Sequence, residues 1–386
     1  MRMATGMAAW LVTMALLGGC RAPQPAAPTV PPAPATQPAV DPMTAVNTLI
    51  EAPPDFVAQR LASGAYPIPP YAKFLAGVKI CLDPGHGGDA HQRGYKRGPT
   101  GVREAEFNFR VASYLRELLT STGAEVLLTR EGDVDVSLED RAAIANEWNA
   151  DLFISLHHNA IGNKPQVNHT TVWYHADVDY RPSNLDLARY LCDGLYDALA
   201  LPEIAAVPLK SDQLMYPGGF GILRHARVTA ALCETSFFTN PEEEQRLRQP
   251  EYNLREAYGL FIALAKYAAA GLPRARLVEP ADGVLPLDAG RKLVFALDDG
   301  LRGRKSWGSE RQMILSDSIT ARIDGQLVPL SFENEGYRLT LEVPDDLTPG
   351  SHAVEVQFQN MNKNSVLNPH FTIEVQGQTG TVTTPP

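Results

Sequence analysis

Between residues 71 and 271, short apolar runs alternate with longer segments whose apolar residues recur at helical spacing. The apolar runs predict strands at 78–82, 124–129, 152–156, 171–175 and 230–233. The amphipathic segments predict helices at 104–120, 138–148, 185–198 and 254–270, and Asn240 followed by proline and acidic residues predicts a further helix start. Strands that alternate with helices are typical of an α/β layer. We therefore expect a mainly parallel sheet flanked by helices.

Beyond residue 273 the pattern changes to runs in which every second residue is apolar. The run at 337–343 places four apolar side chains on one face of a strand. Asp324 and Gly325 predict a hairpin turn between two further strands. Short alternating strands of this kind predict an immunoglobulin-like β-sandwich at 273–376. This region has no catalytic group of residues, so we expect a binding or positioning module.

The N-terminal end of the chain predicts export. Residues 1–19 carry Arg2 and then an uncharged stretch from Met7 to Gly19 that is too short to span a bilayer, which is typical of a signal peptide. The sequence Leu-Leu-Gly-Gly-Cys ending at Cys20 is similar to the lipobox of bacterial lipoproteins, so we expect a lipid on Cys20. The alternative is an ordinary signal peptide with Cys20 there by chance.

Three further segments complete the predicted organisation. Residues 20–42 contain eight prolines among Ala, Thr and Gln, which predicts an extended, lipidated linker. Residues 43–70 look partly helical and are not assigned to a domain. The tail at 377–386 is rich in Thr and Pro and is expected to be disordered.

Composition narrows the function classes. The 386 residues include 34 Lys and Arg against 44 Asp and Glu, a net charge of −10, and no basic run. A nucleic-acid-binding surface needs cationic side chains that displace counterions from phosphates. We therefore expect no nucleic-acid partner.

Three cysteines remain once Cys20 is set aside. Cys81 and Cys233 each lie inside an apolar run. We expect them to be small buried hydrophobic residues, although the sequence does not exclude a disulfide among Cys81, Cys192 and Cys233.

Several chemically active side chains follow the predicted strands. His86 lies in a glycine-rich turn after the first strand, His157 and His158 follow the third, and Glu234 follows the last. Glu104 opens the first helix. In an open α/β sheet, ligands bind beyond the carboxyl ends of the strands. Two histidines and a carboxylate are the usual protein ligands of an open catalytic zinc, and a further carboxylate there can accept a proton from water.

Each of these residues also has a structural interpretation. His86 could belong to a turn that binds an anion through backbone N–H groups. At the end of a strand, spacing alone does not decide which of His157 and His158 turns inward. Glu234 could be an acid beside a core strand, paired with an arginine.

Glu104 and Glu106 compete for one role. Glu104 lies on the apolar stripe of its helix and should point toward the sheet. Glu106 is four residues before Arg110, a spacing that predicts an exposed ion pair.

Five motifs occur in order across about 200 residues of the chain. They are CLDPGHGG (81–88), GVRE (101–104), SLEDRA (137–142), ISLHHNA (154–160) and LCETSFFTNPEE (232–243). Together they resemble the successive motifs of the zinc-dependent N-acetylmuramoyl-L-alanine amidases.

The resemblance implies that zinc is held by His86, Glu104 and His157, with Glu234 as the catalytic carboxylate. It also implies the activity, which is hydrolysis of the amide between N-acetylmuramic acid and the L-alanine of the peptidoglycan stem, in wall remodelling or daughter-cell separation. The sequence departs from the family pattern at His158, where relatives commonly have alanine. The loop at 210–221 does not match the family pattern before the last strand, so the resemblance implies no substrate contacts there.

Two other function classes stay open. One is a zinc peptidase or deacetylase that acts on another cell-wall amide, and the other is a non-catalytic wall-binding module. In each case the expected partners are peptidoglycan and, through the N-terminal lipid, a membrane. The expected location is the bacterial cell envelope, facing the periplasm or the outer surface.

The sequence identifies no protein activator. Some members of the family are silenced by an inserted helix between the strand after the second histidine ligand and the next helix. Here the corresponding residues 176–183 are too few for an extra packed helix. We therefore expect an open site.

Overall fold

The computed structural model describes residues 49–92, 95–175, 181–286, 290–302 and 313–377. The predicted signal peptide, the proline-rich linker with Cys20 and the tail beyond Gly377 lie outside these ranges. Among the described residues, no helix combines the length and the apolar character needed to cross a bilayer.

Strands and helices alternate through the first part of the chain. The strands are β1 (Lys79–Pro84), β2 (Glu125–Leu128), β3 (Leu152–Asn159), β4 (Thr171–Tyr174), β5 (Leu209–Ser211) and β6 (Thr229–Phe237). The helices are α1 (Phe56–Ala62), α2 (Glu104–Thr120), α3 (Leu138–Glu147), α4 (Ser183–Leu199), α5 (Gly221–His225), α6 (Pro241–Leu247) and α7 (Pro250–Ala269). The short elements β5 and α5 were not predicted, because neither is long enough to show a period.

The six strands form one sheet in the order β2-β1-β3-β6-β4-β5. Strand β1 is parallel to β2 and β3, and β3 is parallel to β6. Strand β4 runs antiparallel to β6, and β5 runs parallel to β4. The prediction of a mainly parallel sheet flanked by helices is confirmed. Because β1, β3 and β6 are parallel, their carboxyl ends meet at one edge of the sheet.

Helix α2 carries a stripe of apolar side chains that packs into the domain core. Phe107, Val111, Leu115 and Leu118 are all fully buried. They recur at intervals of three and four residues, which places them on one side of the helix. Glu104 lies three residues before Phe107 and therefore on the same side, so the helix turns this carboxylate inward.

The unassigned segment before residue 71 packs on α2 and α7. Helix α1 buries Phe56 and Val57, and the ring of Phe56 lies 5.7 Å from that of Tyr114 on α2. The hydroxyl of Tyr258 on α7 donates to the carbonyl of Pro67 at 2.6 Å. This segment therefore covers the helical side of the α/β domain.

The three cysteines of the described chain, Cys81, Cys192 and Cys233, are all free and buried. The expectation that Cys81 and Cys233 are small buried hydrophobic residues is confirmed. These three cysteines form no disulfide with one another.

The second part of the chain forms two packed sheets. Its strands are β7 (Arg274–Glu279), β8 (Val284–Pro286), β9 (Lys292–Asp298), β10 (Thr320–Ile323), β11 (Gln326–Leu327), β12 (Leu330–Glu333), β13 (Arg338–Glu342), β14 (Gly350–Gln357) and β15 (His370–Gln376). The sheet orders are β11-β10-β14-β15-β8 and β12-β13-β9-β7. Apolar residues from both sheets form a core separate from that of the α/β domain, so the expected β-sandwich is present.

The predicted turn at Asp324 and Gly325 joins β10 to β11, and both residues have positive φ angles of 47° and 78°. Strand β11 is only two residues long, shorter than expected, and β12 pairs with β13 in the other sheet.

A loop of the sandwich docks on the α/β domain at the amino ends of its strands. Leu367 belongs to the core of the α/β domain. The side chain of Asn368 accepts from the backbone N–H of Thr229 at 2.8 Å and donates to the carbonyl of Ala150 at 3.1 Å. Thr229 is the first residue of β6, and Ala150 precedes β3. The sandwich therefore lies at the edge of the sheet opposite the carboxyl ends of β3 and β6.

Candidate metal centre

His86 lies in the glycine-rich turn directly after β1. Its backbone is left-handed, with φ of 61°, which residues other than glycine seldom adopt. Arg141 donates to the carbonyl of His86 at 2.8 Å. Arg130 donates to the carbonyls of Pro84 and Gly85 at 2.8 and 3.2 Å. Two buried guanidinium groups therefore hold the backbone that presents His86.

Glu104, the first residue of α2, lies between two histidines. Its Oε2 is 3.1 Å from Nε2 of His86, and its Oε1 is 3.1 Å from Nδ1 of His157. The three potential ligand atoms all lie within 4.8 Å of one another. The Glu104 side chain is 1% exposed, whereas those of His86 and His157 are 18% and 15% exposed. The cluster therefore has a buried carboxylate at its base and opens to solvent beside the histidines.

The two consecutive histidines of β3 turn in different directions. The ring of His157 lies against Gly85, where an added Cβ would be 2.2 Å from the ring, so this approach requires glycine. His158 is 2% exposed. Its Nδ1 is 2.8 Å from Oδ1 of Asn108 and its Nε2 is 3.1 Å from Oε2 of Glu256. The structure thus brings His157 into the cluster and places His158 in the core.

Glu234 lies beside the cluster on the neighbouring strand. In the parallel pairing of β3 with β6, its partner is His157. Its Oε2 is buried and has no hydrogen-bond partner. Burial, together with repulsion from the Glu104 carboxylate, raises the pKa of Glu234 to about 8. This carboxylate is thus available for proton transfer and is not held in an arginine pair.

The Glu104 carboxylate has two histidines beside it, and the ammonium of Lys96 lies 3.8 Å from its Oε2. Burial acts to raise the pKa of Glu104, but the two histidines outweigh it and hold that pKa well below its usual range. Burial lowers the pKa of His86 despite the adjacent carboxylate. An ionised carboxylate and a neutral imidazole are the forms that bind a metal.

Glu106 lies outside the cluster. Its Oε1 is 3.4 Å from the guanidinium of Arg103, while Arg110 donates to the carbonyl of Arg248 and to Asn253. The exposed pair of Glu106 with Arg110 that the spacing predicted is thus replaced by other partners.

Asp83 underlies the site, although the sequence pattern assigned it no role. It is fully buried and accepts hydrogen bonds from Thr129 at 2.6 Å, Ser155 at 2.6 Å and Arg141 at 2.8 Å. Arg141 therefore joins Asp83 to the backbone of His86. The only signal in the sequence was the presence of Asp83 and Arg141 in two of the five motifs.

Known proteins resemble the α/β domain of this chain. The family described as N-acetylmuramoyl-L-alanine amidase matches residues 80–265. N-acetylmuramoyl-L-alanine amidase LytC of Bacillus subtilis is 28% identical over 194 residues, which cover 50% of this chain and 36% of LytC. N-acetylmuramoyl-L-alanine amidase AmiA of Escherichia coli is 27% identical over 236 residues, which cover 51% of this chain and 79% of AmiA.

A solved structure, N-acetylmuramoyl-L-alanine amidase AmiC2 of Nostoc punctiforme, is 27% identical, with a TM-score of 0.43 over 50% of this chain and 98% of AmiC2. The chain spans about a third of the length of LytC, and the sandwich lies outside the matched family region. The α/β domain of this chain, with its His-Glu-His cluster, belongs to the N-acetylmuramoyl-L-alanine amidase family.

Proposed function

We propose that this chain is a zinc-dependent N-acetylmuramoyl-L-alanine amidase that acts in wall remodelling or daughter-cell separation. It would hydrolyse the amide between N-acetylmuramic acid and L-alanine in peptidoglycan. The observation that carries the proposal is the cluster of His86, Glu104 and His157 with Glu234 beside it on β6. Family membership of the α/β domain supports the substrate class.

The residues of the cluster fit a zinc ion. Nε2 of His86 and Oε2 of Glu104 are buried and lie 3.1 Å apart without hydrogen-bond geometry, an arrangement that is costly unless another group binds both atoms. Two imidazoles and one carboxylate are a common ligand set of catalytic zinc, which leaves a fourth position open. When bound, zinc supplies a Lewis acid and lowers the pKa of water.

Glu234 is the group that moves the proton. We infer that its carboxylate takes a proton from the attacking water while the water oxygen bonds to the amide carbon. The carbon–nitrogen bond then breaks, and Glu234 returns the proton to the leaving nitrogen of L-alanine. Its unpartnered Oε2 supports this role, because a carboxylate fixed in an ion pair would be a weaker base.

Incubation of the purified protein with peptidoglycan, with and without a chelator, tests this proposal. We expect mass spectrometry to find intact stem peptides with a free L-alanine amino group, and we expect chelator to abolish them. Cleavage within the peptide would indicate a peptidase instead, and release of acetate a deacetylase. Absence of any product from zinc-loaded protein would indicate a wall-binding module.

We also propose that the chain is a lipoprotein of the bacterial cell envelope, held to a membrane by a lipid on Cys20. The proline-rich linker at 20–42 would extend by about 3.1 Å per residue and carry the catalytic domain toward the wall. A Cys20→Ser variant should move from the membrane fraction to the soluble fraction, because each buried methylene contributes about 0.8 kcal/mol to anchoring. A variant that still sediments with membranes would contradict the lipid anchor.

A further inference from the structure

The loop that leads into Glu104 is folded back on itself. The backbone N–H of Glu104 donates to the carbonyl of Lys96 at 2.9 Å, and that of Gly98 donates to the carbonyl of Val102 at 3.0 Å. These bonds fix where α2 begins. The position of the Glu104 carboxylate therefore depends on the conformation of residues 96–103.

A carboxylate from a distant helix holds this loop. Glu244 on α6 is fully buried. Each of its oxygens lies 2.9 Å from the backbone nitrogen of Thr100, and Oε1 lies 3.3 Å from that of Val102. A Cβ added to Gly98 would be only 2.4 Å from Oε1 of Glu244. Backbone N–H groups of the loop thus donate to the carboxylate, and the close approach leaves no room for a side chain at position 98.

We propose that Glu244 is a positioning residue for Glu104. By fixing the loop, it holds the first turn of α2 where the Glu104 carboxylate reaches both His86 and His157. The inference rests on the proposed function, in which Glu104 is a zinc ligand. Hydrogen bonds from N–H groups to an ionised acceptor are stronger than those to a neutral one, so a buried carboxylate suits this task.

The position of Glu244 in sequence suggests a different role, which a neighbour can test. Glu242, Glu243 and Glu244 all lie in the first turn of α6, where acidic residues stabilise a helix through its dipole. Glu242 is exposed, whereas Glu244 is buried against the loop. If the helix dipole were the only role, neutralising either residue would have a similar effect.

Two variants disturb the contact from opposite sides. Glu244→Gln removes the charge and one acceptor oxygen, and Gly98→Ala forces the carboxylate away from the loop. The backbone of Gly98 is outside the left-handed region, so alanine adds no backbone strain there. Glu242→Gln is the matched control on the same turn.

Zinc affinity of the full chain, measured by competition with a chromophoric chelator, is the main readout. We expect Glu244→Gln and Gly98→Ala each to weaken zinc binding by about 10- to 100-fold, as loss of an outer partner of a metal ligand does elsewhere. The control should bind zinc like the unmodified chain. The absorption spectrum of the cobalt-substituted protein should also change in both variants, because the Glu104 ligand is displaced.

Amide hydrogen exchange at Thr100 and Val102 should accelerate in both variants. Folded variants that bind zinc as tightly as the unmodified chain would overturn the positioning role while leaving the proposed function intact. Failure of the unmodified chain itself to bind zinc would instead overturn the proposed function.

Discussion

His157 and Glu234 are direct partners in the parallel pairing of β3 with β6. Partners on adjacent strands project their side chains from the same face of a sheet. One residue belongs to the His-Glu-His cluster, and the other keeps a buried oxygen free of hydrogen bonds. The sheet register therefore places a potential metal ligand next to a potential base without help from a flexible loop.

Metal analysis should distinguish the two glutamates at the start of α2. We expect His86→Ala, His157→Ala and Glu104→Ala each to lose bound zinc, because each removes one of three ligands. The Glu106→Ala variant should still bind one zinc ion per chain, since Glu106 contacts Arg103 outside the cluster. Zinc in the Glu104 variant at the level of the unmodified protein would contradict the ligand assignment.

A Glu234→Gln variant should separate proton transfer from metal binding. Glutamine fills the same space but does not accept the proton, so we expect turnover to fall by about 10² or more with zinc content unchanged. Initial rates on a soluble muropeptide, combined with metal analysis, provide the measurement. Near-normal turnover would argue against the role of Glu234.

The strand and helix pattern predicted which elements meet at this site, whereas the choice of His157 over His158 came from the family resemblance. His86, His157 and Glu234 come at or near the carboxyl ends of strands, and parallel strands bring such ends together. The apolar stripe of α2 predicted that Glu104, and not Glu106, turns inward. The positions of these residues agree with the structure because they follow from local periodicity and one rule of sheet topology, and their roles stay predictions.

The supporting contacts could not be predicted in the same way. Arg130 reaches the carbonyl of Pro84 across 46 positions of sequence, and Glu244 reaches the N–H of Thr100 across 144. Asn368 binds the N–H of Thr229 across 139 positions. Side chains that bind backbone groups leave no periodic pattern, so only the folded chain reveals them.

His158 should matter for stability. Its two ring nitrogens contact Asn108 and Glu256. Replacing His158 by alanine would leave the buried Glu256 carboxylate without this partner, at a cost of about 3–5 kcal/mol in the free energy of unfolding. Chemical denaturation measures this cost. Adding Glu256→Met should restore part of the stability, and no recovery would contradict the pairing.

The effect of His158 should also depend on pH. Burial acts to lower the pKa of His158, but Glu256 outweighs it and leaves that pKa above its usual value. A raised folded pKa means that the pair stabilises the fold fully below the unfolded pKa, about 6.5, and loses this contribution as pH rises through the folded value. The stability difference between the unmodified chain and His158→Ala should therefore shrink toward alkaline pH.

The sandwich should stabilise the α/β domain to which it docks. Asn368→Ala removes the partners of the Thr229 N–H and the Ala150 carbonyl, and we expect a loss of about 1–3 kcal/mol in the free energy of unfolding. Exposed Ser351 on β14 offers a control, and Ser351→Ala should have little effect. Equal stability of the two variants would show that the docking contact contributes nothing.

Finally, we expect the zinc-loaded full chain to hydrolyse soluble muropeptides without a partner protein. The side chains of His86 and His157 remain 18% and 15% exposed in a structure that includes the sandwich and residues 49–75. Strand β4 runs antiparallel to β6, so His175 and its contact Asp212, 2.8 Å away, lie toward the amino end of β6 and away from Glu234.

The loop that follows Asp212 therefore starts near the amino end of β6, at the edge of the sheet opposite the cluster. Helix α4 begins at Ser183, and residues 176–180, which precede it, lie outside the described residues. Initial rates should be the same with and without an extract of envelope proteins, with Glu234→Gln as the inactive control. A zinc-loaded chain that stayed inactive until such proteins were added would show that the site is closed in the free enzyme.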